Sequence, residues 1–150
     1  MVVAQLAHRG IQDRYVIAAM GKIPGEAFVA AALEEFAYAD VPLPIGEEQT
    51  ISQPYVVALI IEAAAVRPGD RVLEVGAGSG YAAAVLSQIA HAVYAIERHR
   101  SLVQAARARF ARLGYDNVEI RVGTGPWVGG KSRPSTPLSY RPVARKCPWH

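Results

Sequence analysis

The run Val72-Leu73-Glu74-Val75-Gly76-Ala77-Gly78-Ser79-Gly80-Tyr81 constrains this chain more than any other segment. Its first four residues suit a buried strand, and a small-residue helix start follows at Tyr81. Between them, glycines at 76, 78 and 80 allow backbone angles closed to residues with a Cβ, and let main chain approach a ligand closely. Such a turn at the carboxyl end of a parallel strand marks a nucleotide-type pocket. The dinucleotide fingerprint requires G-x-G-x-x-G, and Tyr81 stands where its third glycine belongs. A tight turn beside a strand is the bland alternative.

A second acidic residue sharpens the reading. Val93-Tyr94-Ala95-Ile96 is a short apolar strand ending at Glu97, 21 positions beyond Gly76. An acid about 20 residues past such a turn accepts hydrogen bonds from ribose hydroxyls. A carboxylate suits the task because its two oxygens take two donors at once. The competing reading of Glu97 is a solvated charge at a strand end.

The 150 residues suit a single domain, and a 51% hydrophobic content predicts a globular chain rather than a disordered one. No apolar run approaches the ~18 residues that span a bilayer, and Gln5, His8 and Arg9 break up any signal-peptide pattern. The single cysteine, Cys147, excludes an internal disulfide and points to a reducing, cytoplasmic setting. Histidines 8, 91, 99 and 150 show no metal-ligand spacing, so no metal is assigned. The net charge of +3 is unevenly placed. Residues 1–122 hold 11 Lys and Arg against 13 Asp and Glu, whereas residues 123–150 hold five basic residues and no acid. That tail has no aromatic stacking pattern and no basic helix face, which argues against a nucleic-acid partner. No membrane association is expected either, and the chain reads as a monomer.

Along the chain, Asp13 is placed to cap a short helix whose Val16, Ile17 and Met20 share a face, with Ile23-Pro24 ending it. Residues 26–37 are alanine-rich and read as helical, with Phe28, Leu33 and Phe36 as apolar anchors. Asp40 to Gly46 carries two prolines and a glycine and reads as an extended loop over the glycine-rich site. Ser52-Gln53-Pro54 opens a helix to about Ala65, with Ser52 as its N-cap. Pro68-Gly69-Asp70 turns into the strand at 71–75; helix 80–90, strand 92–96, helix 99–113 and strand 117–122 follow. Leu102, Ala106, Phe110 and Leu113 stripe the last helix, Arg107, Arg109 and Arg112 suit its C-terminal half, and Gly114 ends it. The alternation implies a parallel, doubly wound α/β sheet. From Gly123 onward the pattern stops: residues 123–150 hold five of the ten prolines and no periodicity, and read as an irregular, disordered tail.

G-x-G-x-G with Glu74 in the strand resembles motif I of the S-adenosylmethionine-dependent methyltransferases. More specifically, residues from about 11 to 123 resemble the protein-L-isoaspartate O-methyltransferases. The likeness is carried by Ala37-Tyr38-Ala39-Asp40, Pro42-Leu43-Pro44-Ile45-Gly46 and Gln49-Thr50-Ile51-Ser52-Gln53-Pro54-Tyr55. The glycine turn, Ile96-Glu97, Leu113-Gly114-Tyr115 and Asn117-Val118 continue it. A generic small-molecule methyltransferase would leave Q-T-I-S-Q-P without an explanation.

The resemblance implies a Rossmann-like sheet and methyl transfer from S-adenosyl-L-methionine to isoaspartyl carboxylates of damaged peptides and proteins. It makes Ser52 the active-site serine that orients the substrate carboxylate, with Thr50, Ile51 and Gln53 beside it in the substrate pocket. It makes Glu74, Gly76, Ala77, Gly78, Ser79, Gly80, Tyr81, Glu97 and Thr124 the cofactor site. As a plain reading of the residues, Ser52 can equally be an N-cap, and the two roles are compatible.

Two departures matter. The family has Val-Pro-Arg where this chain has Ile23-Pro24-Gly25, and Gly-Asp-Gly where it has Gly123-Thr124-Gly125. Threonine keeps a hydroxyl but lacks the aspartate's charge and one acceptor oxygen. Family members continue with Thr-Leu-Gly-Trp and later Ala-Pro-Phe-Asp-Ala. In GC-rich codons, GAC GGG ACC CTG G without its first base reads Thr-Gly-Pro-Trp, as at 124–127. GCG CCC TTC GAC GCC treated likewise reads Arg-Pro-Ser-Thr, as at 133–136. An out-of-frame tail after about residue 123 is therefore expected, with 1–123 the N-terminal part of a methyltransferase domain and 124–150 irregular. About three strands of a larger sheet predict a weakly folded, poorly active chain. A non-catalytic cofactor-binding or interaction module with a basic tail is the alternative.

Overall fold

The computed structural model describes residues 2–124 and 140–144. Helices α1 (Val2–His8) and α2 (Arg14–Lys22) are followed by 3₁₀ turns at Gly25–Phe28 and Ala31–Phe36. A hairpin of β1 (Leu43–Gly46) and β2 (Gln49–Ile51) leads into α3 (Pro54–Ala63). Next come β3 (Arg71–Val75), α4 (Tyr81–Ser87), β4 (Ala92–Glu97), α5 (Arg100–Leu113), β5 (Val118–Val122) and β6 (Tyr140–Ala144).

The four-stranded sheet has the order β5-β4-β3-β6 and every pair is parallel. The chain winds outward from β3 through β4 to β5, while β6 lies on the other side of β3. The order therefore reverses at β3, and a crevice opens beyond the carboxyl end of that strand. The Rossmann-like class expected from the sequence is the one observed. β6 is an addition to it, formed by five residues of a segment that reads as irregular. Pro142, opposite Leu73, hides this strand from sequence reading, because proline has no N–H to donate and is rare in sheets. At the end of the strand order it is tolerated. The expectation for 125–139 and 145–150 lies outside the described residues.

Burial explains the elements. Val72, Val93, Ala95 and Ile120 lie in the core from three adjacent strands, and all seven residues of α4 are buried. Three consecutive alanines, 82–84, allow α4 to be enclosed on all sides. α5 buries Leu102, Val103, Ala106 and Phe110 at helical spacing, and ends as predicted at Gly114, whose φ of 74° is left-handed. Among the described residues no helix is long and apolar enough to cross a membrane.

Asp13 caps α2 as the sequence predicts, accepting from the N–H groups of Tyr15 (2.8 Å) and Val16 (3.3 Å). It also accepts from Arg67 Nη1 at 2.6 Å. The Gln12 and Asp13 amides donate to Glu62 Oε1 (2.7 and 2.6 Å), which ties this cap to α3. Burial pushes the Asp13 carboxyl up, but the Arg67 bond and the two amides outweigh it and hold the pKa below the ordinary value. A carboxyl with a depressed folded pKa stabilises fully above its unfolded pKa, and that stability is lost as pH falls through the folded value. Asp13→Ala is expected to cost about 1–2 kcal/mol and to lower the melting temperature by roughly 4 °C at neutral pH. Thermal melts at descending pH should show the gap between variant and parent closing in the acid range.

Three local expectations are corrected. Residues 26–37 form two short 3₁₀ turns rather than one helix, and Phe36 is 45% exposed instead of anchored. The cause is tertiary: Phe28 turns into the core against the Tyr81 ring, and Arg109 Nε takes the Ala27 carbonyl that a helix would have used. Part of the 40–46 loop is a strand, β1, paired antiparallel with β2. Finally, α3 begins at Pro54 with Gln53 in the cap position and no side-chain cap bond, so Ser52 is not the N-cap.

Candidate cofactor and acceptor cleft

The crevice at the carboxyl ends of β3 and β4 is a cleft of about 400 Å³, within the range of small-molecule sites. Val75, Gly76, Ala77, Gly78 and Ser79 form one wall, Ile96, Glu97 and Arg98 a second, and Gly123 and Thr124 extend it beyond β5. Gln49, Thr50, Ile51 and Ser52 close it from the hairpin side.

The glycine turn is built from the strands outward. The Gly76 and Ala77 amides both donate to the Ile96 carbonyl, at 2.8 and 3.1 Å, and the Gly80 amide returns to the Ala77 carbonyl at 2.8 Å. Gly76 has φ +85°, and a Cβ placed there meets no atom within 4 Å. That open volume is a cradle that a side chain would fill. Gly80 has the same left-handed geometry for a different reason. A Cβ there would stand 2.5 Å from Phe110 Cζ, so this glycine lets α4 pack on α5 and does not line the cleft.

Glu97 is 5% exposed and grips the turn. Its Oε2 accepts from the Gly78 amide and its Oε1 from the His99 amide, both at 2.9 Å. Each carboxylate oxygen retains acceptor capacity for a ligand hydroxyl. The charge is thus not a solvated strand end: it sets the turn and faces the cleft.

The hairpin lies over this turn. A Cβ on Gly78 would be 3.1 Å from Ile45 Cδ1. Its tip residues Glu47 and Glu48 have φ of 52° and 55°, the two left-handed residues of a type I′-like turn. Glutamates are costly there, and contacts with the start of α5 hold the first of them, Glu47. Ser101 Oγ donates to Glu47 Oε1 at 2.5 Å, and His99 Nδ1 lies 3.5 Å from Glu47 Oε2.

Of the residues singled out in the sequence, Thr50, Ile51, Ser52, Gly76, Ala77, Gly78, Ser79, Tyr81, Glu97 and Thr124 share this one cleft. Glu74 does not line it: the side chain is wholly buried inside β3. Gln53 stands just outside, at the start of α3. Sequence reasoning missed Arg98 and the α3 residues Val56 and Ile60, which also line the cleft. Their only signal was adjacency to Glu97 and helical spacing after Pro54.

Comparison with known proteins agrees with this geometry. A profile of the family described as Protein-L-isoaspartate(D-aspartate) O-methyltransferase (PCMT) matches residues 1–134. A protein-L-isoaspartate O-methyltransferase of Methylorubrum extorquens is 62% identical over 125 residues, covering 83% of this chain and 54% of that protein. A solved protein-L-isoaspartate O-methyltransferase superposes with a TM-score of 0.75 at 34% identity, over 83% of this chain and 41% of its own. A beta-aspartate methyltransferase from Plasmodium falciparum, solved with S-adenosyl-L-homocysteine, gives 0.68 at 28% identity over 80% and 60%. The chain spans about half the length of the curated relatives it matches. With the turn, the acid and the Gln49–Ser52 segment converging on one cleft, the chain belongs to the protein-L-isoaspartate(D-aspartate) O-methyltransferase family.

Proposed function

We propose that this chain binds S-adenosyl-L-methionine and directs its methyl group to the carboxylate of isoaspartyl residues in damaged proteins, in the cytoplasm. The observation that carries the reading is the shared cleft: the Thr50-Ile51-Ser52 segment faces the same volume as the glycine turn and Glu97. The site fits the cofactor, since Gly76 leaves a cradle open and Glu97 keeps acceptors for hydroxyls. When bound, S-adenosyl-L-methionine supplies an activated methyl group on a sulfonium leaving group.

In this reading Glu97 would hold the ribose and residues 76–79 would line the rest of the cofactor's path. Thr124, at the end of the cleft, takes the adenine side with a hydroxyl where the family has a carboxylate. The Ser52 hydroxyl donates to one oxygen of the acceptor carboxylate and leaves the other free to attack. Methyl transfer to that oxygen would exchange a carbon–sulfur bond for a carbon–oxygen bond, giving an ester and a neutral thioether. No proton moves, so the chain needs no general base; its work is alignment and exclusion of water. The hairpin over Gly78 suits the second task.

Calorimetry with S-adenosyl-L-homocysteine tests binding, and transfer of radiolabelled methyl to an isoaspartyl peptide tests the reaction. Ser52→Ala is expected to leave the S-adenosyl-L-homocysteine affinity unchanged and to reduce methyl transfer about tenfold or more, the value of one oriented hydrogen bond to a charged group. Equal transfer by both proteins would remove Ser52 from the reaction. Absence of any S-adenosyl-L-homocysteine binding by the parent chain would remove the reading itself.

A further inference from the structure

Arg109 lies in α5, facing away from the cleft lining yet joined to it through the backbone. Its guanidinium is partly buried and makes two separate bonds: Nε donates to the Ala27 carbonyl at 2.5 Å and Nη1 to the Ser79 carbonyl at 2.7 Å. The guanidinium carbon stands 5.3 Å from the centre of the Phe28 ring, and that ring meets Tyr81 edge-on at 5.5 Å. One side chain therefore bridges the first 3₁₀ turn and the glycine turn. A planar fork can serve two acceptors that point at it from different segments; a lysine ammonium on a flexible stem holds such a pair poorly.

The Ser79–Gly80 peptide is then fixed at both ends. Its carbonyl is held by Arg109, and its N–H by the Ala77 carbonyl at 2.8 Å. Neither end is left to rotate toward the cleft, and the preceding Gly78 amide stays on Glu97. We infer that Arg109 is a positioning residue that locks the Ser79–Gly80 peptide and thereby preorganises the cofactor turn, coupling it to the amino-terminal 3₁₀ segment. Burial, followed by the neighbouring Arg112 charge, pushes the Arg109 pKa down. Holding a cation there has a cost, which the two carbonyls and the Phe28 face offset. Arg107, two positions earlier, is a contrast: Nε and Nη2 both donate to the Ile120 carbonyl, which secures α5 to β5.

The inference rests on the proposed cofactor site for its meaning, but its first test needs no ligand. Amide hydrogen exchange on the whole chain should be about tenfold faster at Gly80 in Arg109→Met than in the parent, with Arg109→Lys between them. S-adenosyl-L-homocysteine should bind Arg109→Met about tenfold more weakly, and Arg109→Lys about threefold, while Arg112→Gln, which removes an exposed charge, should bind as the parent does. Arg109→Lys keeps the charge and the aliphatic stem, so it reports even if Arg109→Met folds poorly. Unchanged exchange at Gly80 in the lysine and methionine variants would overturn the locking role. Faster exchange with unchanged affinity would overturn the preorganising role. A parent that binds no S-adenosyl-L-homocysteine would instead overturn the functional reading, and the exchange result would still judge the lock.

Discussion

Gly80→Ala is expected to be the most damaging single methyl group in this protein. Two costs add. The left-handed φ of +84° is unfavourable by about 1–2 kcal/mol for a residue with a Cβ. The new Cβ would also stand 2.5 and 2.9 Å from two atoms of the Phe110 ring. Phe110 is 4% exposed and is itself packed edge-on against Tyr115, so it has little room to retreat. Overpacking of this kind costs about 1–3 kcal/mol. A total of about 3–4 kcal/mol corresponds to a melting temperature lower by roughly 10 °C. Gly76→Ala makes the informative partner. It shares the backbone cost but meets no atom, so its stability loss should be about half as large, whereas its methyl group would occupy the cradle and weaken S-adenosyl-L-homocysteine binding. Equal losses of stability in the two variants would show that the Phe110 contact yields, and that backbone geometry alone makes position 80 a glycine.

The second large effect is expected at Glu97. Glu97→Gln preserves size and burial but replaces one acceptor oxygen with a donor. The parent oxygens face two amides, Gly78 and His99, so one of them would meet an N–H with another N–H. The turn loses a bond and the ligand loses an acceptor from the same change. The one bond lost to the ligand, made to a charged group, is worth about 1.5–3 kcal/mol, so S-adenosyl-L-homocysteine affinity should fall about 10- to 100-fold. Calorimetry at one salt concentration measures it directly. A glutamine variant binding within about threefold of the parent would mean that Glu97 shapes the turn and contributes nothing to the ligand.

The parts of this molecule legible in its sequence are those governed by neighbours in the chain. Val72 to Tyr81 reads as strand, turn and helix because its apolar run, glycines and alanines act locally, and Asp13 reads as a cap because its partners are two and three residues away. Glu97 was found by spacing. What escaped was set by distant contacts. The alanine-rich 26–37 segment favours a helix until Arg109, 82 positions on, claims the Ala27 carbonyl. Gly80 looks like a ligand glycine until Phe110 is brought against it by the winding of α5. Ser52 resembles a cap, yet the helix starts two residues later and leaves it in the cleft wall. Tyr140–Ala144 offers a proline and an arginine where a strand former is expected, and only pairing with β3 makes it a strand.

The fastening of the hairpin has a thermodynamic corollary. Its tip is attached through Glu47 to His99 and Ser101, and the His99 amide is also one of the two donors on Glu97. A single short stretch, 97–101, is thus a shared hinge post for the cover above the cleft and the carboxylate within it. Were ligand binding at Glu97 to favour the attached hairpin by some factor, attachment would by linkage strengthen that binding by the same factor. The bonds of Glu97 and the attachment of the hairpin would then share one coupling free energy.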